Sequence, residues 1–352
     1  MKNAGLLIAL AFVSTTVYAQ GINRNELKQM QAFLNQPAAK MATNAEALGI
    51  TDMNSPALWG GVTIENGHVT KIDWSNKKLA GELDLSGFKS LAAVNVSRNE
   101  ITSINVAGDI ALVSLDASRN KLTNIELDNL PALTSLRIFR NRLTDLNITG
   151  TSNLKTLNCS NNLFVELNVS NSKTLQTLNC QGCHLENLVI SGCTALKNLY
   201  CGYNKLSGII LTGVESLENL NVDDNEITSL YIGNLPSLRS LICSDNNMTS
   251  LAVNDNPGLL DLVCSYNDLT TLSVEKCPQL LFVDCSYNDL TTLTLSNQTF
   301  LQRVLCNNNQ LYMLDVSFNP ALAYVNCRYN MITDLRTIGD DNLRMIACQW
   351  NY

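Results

Sequence analysis

The chain has 352 residues, a formal net charge of −7 and 45% apolar residues. So mild an acidic excess excludes nucleic acid or an anionic membrane as the main partner, because either calls for a basic surface. The length is large for one compact core, a limit that a solenoid escapes by stacking coils.

At the N-terminus, Lys2, the apolar run Leu6 to Val13 and the small-residue pattern Val17-Tyr18-Ala19 read as a signal peptide over 1–19. The run is too short to span a bilayer, and no later stretch is apolar enough. An exported protein without a membrane span is expected, at an extracellular, cell-surface or periplasmic location. Residues 20–68 read as an N-terminal cap. Leu27, Met30, Phe33 and Leu34 have the spacing of a short amphipathic helix, and Pro37 and Pro56 act as breakers in the less periodic link after it. Asn66-Gly67, between the apolar segments Leu58 to Ile64 and Val69 to Trp74, marks a hairpin. Residues 69–90 form an irregular first coil, one residue longer than those after it. Trp59 and Trp74 read as a plug over an open apolar end.

From Leu91 to Tyr352 the chain repeats every 21 residues, in twelve full units and a final partial one. The unit reads L-x-x-L-x-C-x-x-N-x-L-x-x-L-x-V-x-x-x-P-x, as in Leu154, Leu157, Cys159, Asn162, Phe164, Leu167 and Val169. Its opening alternates apolar and polar residues, so it predicts a short strand with its apolar side inward. One coil holds too little apolar surface to fold alone, and stacked coils share one core while their strands pair in parallel. The later Leu-x-Val part has no room for a helix, so extended or single-turn segments are expected there. Asparagine holds the ninth place in every coil but one, where Cys183 replaces it. At the strand's exit its amide is expected to donate to a carbonyl and to accept from an amide of the next coil. Proline, where present, stands one residue before the unit ends, as at Pro131, Pro236 and Pro257, and fixes the return turn.

Nine of the twelve cysteines share one repeat place with Val96, Ala117, Ile138 and Val222, which marks it as a core place. No structural disulfide is expected. A single file of sulfurs does not make a closed tetrahedral site, so neither metal nor cofactor is expected. His68 and His184 are the only histidines, and no nucleophile has a base placed near it in the pattern, so an enzyme is not expected.

This unit resembles the leucine-rich repeat family, whose L-x-x-L-x-L-x-x-N/C-x-L signature it matches from Leu91 to Tyr352. The 21-residue period with a cysteine ladder is similar to the internalin-J-like subgroup of bacterial surface proteins. The Trp59-Gly60-Gly61-Val62 segment resembles the N-terminal cap of plant-type repeats, without that cap's cysteine pair. The resemblance implies a leucine-rich repeat solenoid with a parallel sheet on its concave face and a small helical and hairpin cap. It implies binding of proteins, and sometimes glycans, on that sheet.

Only the variable places remain for function: the third, fifth, seventh and eighth, expected to project from the concave face. The eighth reads Arg98, Arg119 and Arg140, then Asp224 and Asp245 after Tyr203, then Tyr266, Tyr287, Tyr329 and Trp350. The third and fifth add Arg137, Tyr200, Phe282 and Tyr324. These residues, the aromatic ones above all, are the candidate ligand contacts. Ring stacking that merely steadies neighbouring coils is an equal alternative, and a solvated face is the other reading of the arginines. The expected role is recognition of a protein ligand, as an adhesin or host-interaction factor. A glycan-binding module and a structural envelope protein are the alternatives. The last coil raises one more expectation: its core end is closed by Trp350 and Tyr352, or else by another molecule, including a second copy.

Overall fold

A computed structural model describes residues 22–233 and 235–351. The signal peptide reading, and Tyr352, lie outside the described residues. The chain clusters into two compact units, Met1–Ala132 and Leu133–Tyr352, each a stretch of parallel solenoid.

The first unit opens with α1 (Arg24–Leu34), whose Asn23 cap accepts the Asn25 and Glu26 N–H groups. Met30, Phe33 and Leu34 are its buried stripe. The short α2 (Asn44–Leu48) comes next, ended by Gly49 in the left-handed conformation. The strands are β1 (Val62–Glu65), β2 (His68–Asp73), β3 (Ala80–Asp84), β4 (Ala93–Asn95), β5 (Glu100–Asn105), β6 (Ser114–Asp116) and β7 (Asn124–Glu126). Strands β1 and β2 form the expected hairpin through Asn66 and Gly67 at φ 50° and 76°, the left-handed pair such a turn needs. From β2 the sheet continues in parallel through β4 to β6, while β3, β5 and β7 form a second ladder.

Trp59 and Trp74 are both buried, and Trp74 stacks on Phe33 with centroids 6.0 Å apart. Their indoles donate to Asp52 O and Gly60 O, so neither buries an unpaired N–H. Buried Glu26 ties α1 to β2, accepting the Val69 N–H and meeting His68 Nδ1, each at 2.8 Å. The pairing of β3 with β5 shifts register between Gly81 and Glu82, where Thr102 of β5 is skipped. There the Gln36 amide donates to Glu82 O and accepts its N–H, where a β-carbon on Gly81 would collide with it.

In the second unit three-residue strands recur in strict register from Ser135–Arg137 to Met345–Ala347, so that Leu136 faces Leu157 and Leu157 faces Leu178. The extended segments expected on the return side are themselves paired in parallel. Glu166–Asn168 pairs with Asn187–Val189, Ser250–Ala252 with Thr271–Ser273, and Thr292–Thr294, Met313–Asp315 and Asp334–Arg336 form a third ladder. Eleven of the cysteines are buried free thiols and Cys348 is exposed. Burial pushes Cys243 up to about 12 and Cys183 up to about 11, so these thiols act as small apolar fillers.

The asparagine column bonds in the opposite direction to the one expected. Asn162 donates to Cys159 O in its own coil and to Ile138 O in the preceding one, and accepts the Leu143 N–H of that preceding coil. Asn99 does the same toward Val96 O, Trp74 O and the Leu79 N–H. Each asparagine therefore completes the coil before it. Cys183 does so only in part: its thiol donates to Cys159 O at 3.3 Å, but sulfur is a weak acceptor for the amides of the preceding coil. Cys183→Asn is expected to restore the column and to stabilise the fold by about 1 kcal/mol. Chemical denaturation measures this, and a lower midpoint would contradict the assignment.

Trp350 does not close the end of the core. It is 61% exposed and lies against Tyr329 on the outside of the stack.

Candidate functional site

The eighth-place residues are not in the strands, contrary to expectation. They stand in the turn just after each strand, where the backbone must enter the left-handed region. Tyr266, Tyr287, Tyr329 and Trp350 have φ of 53°, 55°, 54° and 57°. Each N–H still reaches the next coil where one is present, as Tyr266 does Ser286 O at 3.0 Å. A bulky residue with positive φ is uncommon, because its Cβ crowds the following carbonyl. The turn fixes four aromatic side chains in one direction, one to a coil.

They form two stacks. Tyr266 and Tyr287 lie 4.3 Å apart at 8°, and Tyr329 and Trp350 lie 4.6 Å apart at 4°. All four remain between 43% and 61% exposed, so stacking leaves much of each ring facing solvent. Desolvation beside Tyr287, with Asp245 and Asp284 near, raises the Tyr266 phenol above its ordinary value. Five places back along each coil, at the start of each strand, a second column faces outward. Arg303 lies between Phe282 and Tyr324, with its guanidinium carbon 5.7 and 5.3 Å from their centroids. The half-exposed side chains of Asp284, Leu305 and Asn326 belong to the strands between the two columns.

The other sequence-identified residues stay apart from this zone. Tyr203 has Asp223 and Asp224 as neighbours, and their charge, Asp223's most of all, raises its phenol. Desolvation raises the Asp223 and Asp245 carboxyls in turn. Arg98 and Arg119 are exposed on left-handed turns of the first unit, and Arg140 is exposed on one in the second. Arg137 lies over Phe139 at 5.5 Å. A cavity of about 580 Å³ lined by Thr271, Lys276 and Gln298, and one of about 690 Å³ lined by Glu26, Lys28 and His68, involve none of the stacked rings. Among the described residues no group of three or more His, Cys, Asp or Glu is placed to hold a metal ion. No helix among them is long and apolar enough to cross a membrane.

No family model matches the chain, and no curated protein matches it. Solved structures do. The functional domain of InlJ from Listeria monocytogenes, which includes a cysteine ladder, is 26% identical over 74% of this chain and 70% of its own, with a TM-score of 0.51. The fold is a leucine-rich-repeat solenoid. YopM, a leucine-rich effector protein from Yersinia pestis, shares it at 24% identity over 77% of this chain and 78% of its own, with a TM-score of 0.63. Toll, in its complex with Spatzle from Drosophila, shares it at 19% identity over 71% of this chain and 44% of its own, with a TM-score of 0.55. Eight ladder cysteines of this leucine-rich-repeat chain, from Cys159 to Cys327, are buried just after the strands of the long sheet, whereas Cys183, Cys193 and Cys277 are buried in turns.

Arg303 is the residue that sequence reasoning passed over. The signal was present: Phe282, Arg303 and Tyr324 stand 21 residues apart at the same place, so adjacent coils bring them face to face.

Proposed function

We propose that this leucine-rich-repeat protein is exported and binds a protein partner across the aromatic zone of its second unit. The observation that carries the reading is the pair of exposed ring stacks held on left-handed turns. Bulky residues there cost strain of order 1 kcal/mol each, which the fold alone would relieve with Gly or Asn, as it does at Gly182 and Asn161. Rigid aromatics with polar tips give contact area at low entropic cost, the usual composition of a binding anchor. The zone is an open face rather than a cleft, which suits a macromolecular surface better than a small molecule. That Toll is found in complex with Spatzle and shares this fold is in keeping with a protein ligand.

The test uses immobilised protein, wild type against the combined Tyr266→Ser, Tyr287→Ser and Tyr329→Ser variant, exposed to envelope and culture-supernatant proteins from the source cells and from host cells. A specific protein retained by the wild type and lost by the folded variant is the expected result. Equal retention by both removes the aromatic zone as the site, and retention of glycans alone on an array supports a glycan-binding module instead.

A further inference from the structure

We infer that the break in the aromatic column at Asn308 is a slot for one flat aromatic side chain supplied by the protein partner. The inference rests on the proposed function and names the group that the zone recognises.

The column places one side chain on each coil: Tyr266, Tyr287, Asn308, Tyr329 and Trp350. Asn308 has φ 57°, against 55° for Tyr287 and 54° for Tyr329, so the three Cβ bonds leave the backbone alike. The two stacks have centroid spacings of 4.3 and 4.6 Å, close to the strand spacing of about 4.8 Å. One ring to a coil is therefore the natural filling of this column, because coil step and offset stack nearly coincide. At Asn308 the ring is missing. Tyr287 has one face covered by Tyr266, and Tyr329 has one face covered by Trp350. Their other faces look toward the gap across two coil steps, about 9–10 Å.

That distance sets the guest. Two offset contacts like those already in the column sum to about 9 Å, the room for one planar ring between two others. The walls belong to stacks tilted by only 8° and 4°, which suits a flat guest. The Asn308 side-chain amide at the base makes no hydrogen bond among the described residues and is free to meet a phenol, indole or imidazole edge. A sugar ring is puckered, and its hydroxyls would need several polar partners where the walls offer ring faces. The ligand chemistry is an aromatic side chain.

The experiment fills the slot from within. Asn308→Tyr supplies the missing ring on a turn that accepts tyrosine in the coils on both sides, and Asn308→Ala leaves the slot open. N-acetyltryptophanamide is titrated into the full chain while the indole N–H signal of Trp350, on the far face of Tyr329, is followed by NMR. A saturable shift is expected in the wild type and in Asn308→Ala, weakened at least tenfold in Asn308→Tyr. No shift in the wild type, or an equal shift in Asn308→Tyr, overturns the slot. A shift with methyl β-glucopyranoside but none with the tryptophan amide overturns its ligand class. Partner capture by wild type against the triple serine variant does not depend on Asn308, so the slot can fail while the proposed function stands.

Discussion

Replacing Asn204 by Ala is expected to cost about 3–5 kcal/mol, because several buried groups lose their partner together. Its Oδ1 accepts the Cys183 and Leu185 N–H groups at 2.9 and 3.0 Å. Its Nδ2 donates to Cys180 O and Cys201 O at 3.0 and 2.9 Å, and to Gly202 O at 3.1 Å. Alanine supplies none of these bonds, and the surroundings are buried leucine and cysteine. Because a solenoid loses cooperativity before it loses all structure, the readout is local as well as global. Amide exchange at Leu185 should accelerate far more than exchange at Leu269, four coils away. Equal protection at Leu185 in variant and wild type would show that the asparagine is not the partner of the preceding coil.

Asp109→Asn should act in the opposite direction and depend on pH. Asp109 is fully buried at the place where the return turn closes, and its Oδ1 accepts the Phe88 N–H at 2.7 Å. Its Oδ2 is buried without a partner. Burial, the largest cause, raises this carboxyl from 3.8 to about 8. Asn319 holds the same repeat place and shows what an amide does there. Its Nδ2 donates to Leu295 O and Val316 O, which correspond to Leu85 O and Val106 O around Asp109. A protonated carboxyl can donate likewise, whereas a carboxylate cannot. The folded-state value lies above the unfolded one, so the neutral form favours folding. That stability is complete below about pH 4 and is lost as pH rises toward 8. Asp109→Asn removes the loss and is expected to stabilise by about 3 kcal/mol at pH 8, with little difference from wild type near pH 4. Thermal denaturation from pH 4 to 8 checks this, and a variant less stable than wild type at pH 8 would contradict the account. Asp340 shares the place, bonds the Asn319 N–H at 2.8 Å and has an unpaired Oδ2, so it should show the same trend more weakly.

Leucine and cysteine positions were legible because a fixed period of 21 leaves only one way to stack coils. The cap helix was legible from the spacing of Leu27, Met30, Phe33 and Leu34, and the hairpin from an Asn-Gly pair. The direction of the asparagine bonds was not, since a side chain at the strand's exit lies equally near the coils before and after it in a linear pattern. Only the path of the turn decides. The left-handed eighth place was obscured by its own residues, because Tyr, Trp and Arg rarely adopt positive φ. Asn161, Gly182, Asp224, Asp245 and Asn308 carried the opposite signal in the same column, as residue types that tolerate it. Ring stacking could be anticipated from adjacency, but the gap at Asn308 becomes meaningful only beside the spacings of 4.3 and 4.6 Å around it.

The division of labour within each coil is the central claim: inward leucines, cysteines and asparagines build the stack, and the exposed rings of the second unit bind. Its most direct test is the affinity of the captured partner for purified wild type and for the combined Tyr266→Ser, Tyr287→Ser and Tyr329→Ser variant, with Tm measured on the same samples. The account predicts affinity at least about a hundredfold weaker, as for loss of a central anchor cluster, with Tm nearly unchanged. Unchanged affinity, or a large fall in Tm that makes the rings part of the stack, would contradict it.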